Sequence, residues 1–317
     1  MPPLLRAISH TQGGVVTAEQ ALAAGLTREE IRRLVRQKAW TRIRQGAYVE
    51  TARWAAVDEN TRHRLLVRAT LLIGDRSAVV CDRSAVAWHG LDTLSAPPAE
   101  VHVRVPAAGG GRSSGLLVRH VGEVLPGLRQ WDGEVVLVTP AVAAVEMACA
   151  VAFREGVVVC DSALRSGAAQ QELVSALAAV AGRPGAPRAR RAVAFADRRS
   201  GSAGESLSRV VLREIGLDPE DLQTPIRDNK GLVGLTDFSW LAHHTVGEFD
   251  GRVKYGRDGP NAESRDVLWR EKQREDRLRA LGLEIVRWTW ADLDHPAEIA
   301  RRIRATWQRA ANRLPAR

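Results

Sequence analysis

The sequence predicts a multi-domain α+β protein, and three observations carry that expectation. At 317 residues the chain exceeds the size, about 250 residues, at which single hydrophobic cores stop growing. Its first fifty residues read as two short helices followed by a basic hairpin. From 204 onward the order is helix, strand, strand, helix, strand, helix, which describes a small α/β domain. The expected division is therefore 1–52, a helix-turn-helix with a wing; 53–181, a mixed α/β middle region; 182–203, a basic linker or helix; and 204–317, the closing α/β domain.

In the first segment, "VVTAEQALAAGL" forms one short helix with Gly25 after it. "TREEIRRLVRQKAW" forms the second, with Thr27 as N-cap and Glu30 as its reciprocal capping-box partner. Ile31, Leu34 and Val35 hold the apolar face, while Arg28, Arg32, Arg33, Arg36 and Lys38 supply positive charge. "WTRIRQGAYVE" follows as a hairpin bearing Arg42 and Arg44. A basic second helix with a basic two-stranded wing is the arrangement that docks a helix in the major groove of DNA and a hairpin on its backbone. The alternative is a solvated basic helix in a small packing domain. The formal charge of +9 favours a polyanionic partner, because phosphate neutralisation supplies much of nucleic-acid affinity.

The middle region reads as helical over 58–95, with "SAVAWHGL" ending a helix at Gly90. "EVHVRVPAAGGGRSSGLLVRHV" alternates as two strands around a glycine-rich hairpin loop, and "GGGRSSG" lacks the GKS or GKT ending of a phosphate loop. The apolar run at 135–153, "VVLVTPAVAAVEMACAVAF", is broken by Thr139, Pro140 and Glu146 and reads as a strand, then a core helix capped by Thr139. No membrane association is expected. Cys81, Cys149 and Cys160 give neither a disulfide framework nor a CxxC pair, so they read as buried thiols of a cytoplasmic protein. The histidines are scattered without zinc spacing and read as surface or core residues.

In the last segment, "GESLSRVVLREIGL" is an amphipathic helix, and "LVGLTDFSWL" and "TVGEFDG" form a hairpin through "AHH". A long helix over approximately 263–281, the strand "LEIVRWTW" and the basic helix "PAEIARRIRATWQRAANRL" follow. Alternation puts Glu248 and Asp250 on one strand face; with matching register, Asp237 of the neighbouring strand joins them. Grouped carboxylates repel unless protonated or bound to a cation, and Mg²⁺ (or Mn²⁺) suits such hard oxygen ligands. Asp237, Glu248 and Asp250 are then candidate metal ligands, with Lys254 the nearest lysine for a developing phosphate charge. The other reading is a solvated strand face with Glu248 paired to an arginine. Lys272 and Arg274 of "REKQRED" are candidate phosphate contacts or, equally, solvated helix charges.

The stretch from Glu205 to Leu293, with "LTDFSW", "GEFDGRVKY", "EKQREDRLRALG" and "VRWTWADL", resembles the very-short-patch-repair-like branch of the PD-(D/E)-X-K endonucleases. That resemblance implies a restriction-endonuclease-like α/β domain and metal-dependent phosphodiester hydrolysis of DNA, with Asp237 and Glu248 as metal-binding acids and Glu205 as the helix acid. The sequence departs from that pattern at Asp250, which stands where the family has its lysine; Lys254 is the candidate replacement. The first fifty residues resemble the winged-helix domain of AbiEi-type antitoxins. This second resemblance implies a non-catalytic transcriptional repressor of an AbiE-like (type IV) toxin–antitoxin system, with a nucleotidyltransferase-type toxin encoded nearby.

Overall fold

A computed structural model of the protein describes residues 2–75, 77–106, 115–251 and 262–313, the side chains of 262–268 excepted. The architecture is mixed α+β, and the chain divides into two compact units, Met1–Phe195 and Ala196–Arg317. Among the described residues no helix is long and apolar enough to cross a membrane.

The first unit begins with α1 (Pro3–Thr11), β1 (Val15–Thr17), α2 (Ala18–Ala23), α3 (Arg28–Arg36), β2 (Trp40–Arg44) and β3 (Ala47–Glu50). Two capping boxes start the paired helices: Thr17 with Gln20, and Thr27 with Glu30. Gly25, at φ +94°, makes the turn between them. The second helix stops at Arg36, short of its sequence expectation, because Lys38 adopts φ +56° and its amide closes back on Val35. β1, β3 and β2 form a three-stranded antiparallel sheet in that order, so the expected wing hairpin gains a third strand. Leu5, Val16, Ala21, Ile31 and Trp40 make the core that binds helices to sheet.

The same unit continues through α4 (Thr51–Ala56), α5 (Glu59–Ile73), β4 (Val79–Val80), α6 (Asp82–His89), β5 (Val101–Val105), β6 (Leu117–Val121), β7 (Arg129–Trp131) and β8 (Val136–Val138). Four helices close it: α7 (Pro140–Ala150), α8 (Phe153–Arg165), α9 (Gln170–Ala179) and α10 (Ala186–Phe195). Thr139 caps α7 and Pro140 occupies its first turn, as the sequence implies. β5 and β6, expected as a hairpin, instead pair in parallel, from Val101↔Leu117 to Val105↔Val121. A parallel pair needs a crossover rather than a tight turn, so β5 and β6 are not the two arms of a hairpin; the glycine-rich residues 107–114, read from the sequence as its loop, lie outside those described. Residues 186–195, within the stretch expected as a basic linker or helix, form α10, whose Ala189, Ala192 and Val193 are buried in this unit. All three cysteines are buried and free.

The second unit comprises α11 (Ala203–Glu214), β9 (Asp221–Asp228), β10 (Gly231–Trp240), β11 (Thr245–Asp250), α12 (Ala262–Ala280), β12 (Glu284–Thr289), α13 (Trp290–Leu293) and α14 (Pro296–Arg313). Its sheet runs β12-β11-β10-β9, with β11 parallel to β12 and the other pairs antiparallel. β9 was absent from the sequence expectation. It contains Pro225, which argues against a central strand, and it lies at the sheet edge, where a missing amide costs no ladder bond. One face of the sheet buries Phe238, Trp240, Val286 and Trp288 against Val211, Leu212, Ile299 and Ile303. The other buries Val246, Ile226 and Val233 with Leu278 and Leu283.

Gly247 lies between two of those tryptophans: a Cβ there would meet Trp288 Cη2 at 2.8 Å and Trp240 Cζ3 at 2.9 Å. Both indoles are fully buried, so neither can step aside. Gly247→Ala is expected to cost about 1–3 kcal/mol, read as a lower denaturation midpoint for the full chain.

Candidate nucleic-acid interface and acidic row

α3 turns Ile31 into the core and leaves Arg28, Arg32, Arg33 and Arg36 exposed, with Lys38 just beyond the helix and Arg42 on β2 exposed as well. Glu29 sits among them, pairing with Arg36 at 2.7 Å and with Arg32 at 3.7 Å. Such exposed pairs are weak enough to be exchanged for phosphate. Arg44 does not join this surface. It is partly buried, donates to Thr70 Oγ1 at 3.1 Å and to the Leu116 carbonyl at 2.8 Å, and so fastens the wing to the rest of its own unit.

In the second unit, sheet register creates a polar row. The β10–β11 ladder pairs Phe238 with Gly247, so the next step sets Asp237 opposite Glu248. Glu248 pairs with Arg287 on β12, and Gln223 on β9 lies opposite Asp237, between the pairs Thr236↔Thr224 and Phe238↔Leu222. The strands part at this row, where the Phe249 amide donates to Asp237 Oδ2 at 2.8 Å. Gln223, at φ +49°, donates its amide to Asp237 Oδ1 at 3.2 Å and to Glu205 Oε2 at 2.9 Å. Glu205 stands in the first turn of α11, where the Gly201 amide at 2.7 Å and Ser202 Oγ at 2.9 Å hold its carboxylate.

Burial raises the Asp237 carboxyl to about 6, with Glu205 and Glu248 adding repulsion that the Phe249 and Gln223 amides offset only in part. Glu248 is compensated differently: Arg274 reaches it at 2.5 Å and Arg287 at 2.9 Å, and both guanidinium groups also contact Glu271. Arg274 is thus engaged rather than available to phosphate, while Lys272 is exposed. Asp250 ends β11 in an exposed position. Lys254 lies outside the described residues. A divalent cation at Asp237 would relieve its repulsion; at Glu248 it would have to displace Arg274 or Arg287.

Sequence reasoning missed Gln223 and Arg287, since nothing in a linear stretch announces which residue a distant strand places opposite another. Because Asp237 titrates higher folded than unfolded, the folded state holds the extra proton between pH 4 and 6, and stability falls as pH rises through about 6. Asp237→Asn is expected to stabilise the protein at pH 8 by about 2–3 kcal/mol and to flatten that part of the profile, as measured by thermal melts across pH.

Residues 3–51 match the family described as "Transcriptional regulator, AbiEi antitoxin". Two relatives, the uncharacterized proteins MT2308 and Rv2248 of Mycobacterium tuberculosis, are each 30% identical over 287 residues, covering 90% of this chain and 98% of theirs. The crystal structure of the RV2827C protein from the same organism aligns with 70% of this chain and 84% of its own at 17% identity and a TM-score of 0.39, too distant to support an argument. The chain belongs to the family of MT2308 and Rv2248, and its N-terminal segment, residues 3–51, is similar to the AbiEi-antitoxin transcriptional regulators.

Proposed function

We propose that this protein is a DNA-binding transcriptional regulator of antitoxin type, which places α3 in the major groove and lays the β2–β3 hairpin along the backbone. The observation that carries the reading is the exposed arginine face of α3, opposite the buried Ile31. Arg28, Arg32, Arg33, Arg36, Lys38 and Arg42 are the contacting residues; Arg44 serves the scaffold. A toxin, by the earlier resemblance a nucleotidyltransferase, is the protein partner in this reading.

A second reading is favoured by the Asp237 carboxyl, held near 6 by burial and by Glu205 and Glu248. In it, the second unit hydrolyses DNA phosphodiesters with Mg²⁺ or Mn²⁺ held by Asp237 and, once released from Arg274, by Glu248. The ion would polarise the scissile phosphate. Gln223 would orient Asp237 and Glu205 through its shared amide. Two features weigh against turnover: Glu248 is engaged by two arginines, and Asp250 stands at the family's lysine position.

Binding of promoter duplex, followed by fluorescence anisotropy against salt, tests the first reading. Replacing Arg32, Arg33 and Arg36 with alanine is expected to weaken binding and to reduce the salt slope by about 1 per lost phosphate contact; unchanged binding rules α3 out as the docking element. Plasmid cleavage with Mg²⁺ or Mn²⁺ tests the second. Cleavage lost in both Asp237→Ala and Glu248→Ala supports it, while no cleavage by the wild type leaves a regulator alone.

A further inference from the structure

The middle region of the first unit brings together three side chains of the types that ligate metal ions. Parallel pairing of β5 with β6 matches Arg104 with His120 and His102 with Val118, so both imidazoles lie on the same sheet face. Their rings stack at 5.3 Å between centroids, with His102 Nδ1 and His120 Nε2 3.0 Å apart. Asp82, at the start of α6, completes the group: one ligand-capable atom from each of Asp82, His102 and His120 lies within 4.8 Å of the others.

We propose that Asp82, His102 and His120 bind a divalent transition ion, zinc by preference, through two imidazoles and one carboxylate. Two ligands of a tetrahedral zinc at 2.0–2.1 Å lie about 3.3 Å apart, close to the separation of the two ring nitrogens. Nitrogen donors select zinc, cobalt or nickel over magnesium. The ligands are oriented from behind. Asp82 is held at φ +51°, a conformation a non-glycine residue adopts only under constraint, by its own amide donating to buried Glu146 at 2.9 Å and by the Arg83 amide donating to Oδ1 at 2.7 Å. The His102 amide donates to Ser84 Oγ at 2.8 Å, and that hydroxyl also contacts His63. Both rings remain partly exposed, so an ion can enter and keep a water in its fourth position. Bound there, it would tie α6 to the β5–β6 pair.

Cobalt is the probe, because its visible absorption reports coordination directly. The full chain is expected to take up one Co²⁺ with a tetrahedral-type absorption band, and Zn²⁺ is expected to bleach that band and raise the melting temperature. His102→Gln and His120→Gln should each weaken uptake at least about tenfold, whereas Asp237→Asn should retain it, which separates this site from the acidic row. No cobalt band and no stoichiometric Zn²⁺ uptake at micromolar metal overturns the proposal. So does uptake unaltered in the folded histidine variants. If His102→Gln fails to fold by circular dichroism, His120→Gln on the edge strand β6 decides alone.

Discussion

A carboxylate removed from water must find positive partners or give up its charge, and both units of this protein are organised around that constraint. In the first, Glu146 is 1% exposed on α7 and is met by Arg104 from β5, by Arg183 at 3.4 Å and by the Asp82 amide at 2.9 Å. One side chain thereby joins the helical layer, the sheet and the first turn of α6. In the second, Glu248 draws Arg274 from α12 and Arg287 from β12 onto the central strands. Asp237, one strand away, receives only amides among the described residues, and burial raises it to about 6. The two neighbours differ in their partners, guanidinium groups for Glu248 and amides for Asp237.

This contrast bears on function. A site that binds and turns over phosphodiesters needs acidic oxygens open to a cation, and here the two guanidinium groups on Glu248 compete for that role. The first segment faces no such competition: the α3 arginines and Arg42 are exposed, and Glu29 engages Arg32 and Arg36 only through surface pairs. The proposed DNA binding by the first unit therefore asks for fewer rearrangements than the proposed catalysis by the second.

Much of the fold was legible in local sequence. The capping box at Thr27, the Thr139–Pro140 start of α7 and the β10–β11 hairpin through its short connection all depend on residues within a few positions of one another. β9 was not legible, because Pro225 hides an edge strand whose pairing depends on a neighbour. The β5–β6 pair was misread for a related reason: alternation reports a strand and its faces, while parallel or antiparallel pairing depends on the route of the intervening chain.

The amino-acid sequence by itself determined the paired N-terminal helices, the β10–β11 hairpin, the basic face of α3 and the identities of the acids on β10 and β11. Only the tertiary structure decided which charges meet. It set Gln223 against Asp237, Arg274 and Arg287 against Glu248, Arg44 against Thr70, and His102 beside His120 and Asp82. Periodicity in a chain assigns a side chain to a face, but the partner across that face is fixed by strand order and register, which arise from packing between residues far apart in sequence.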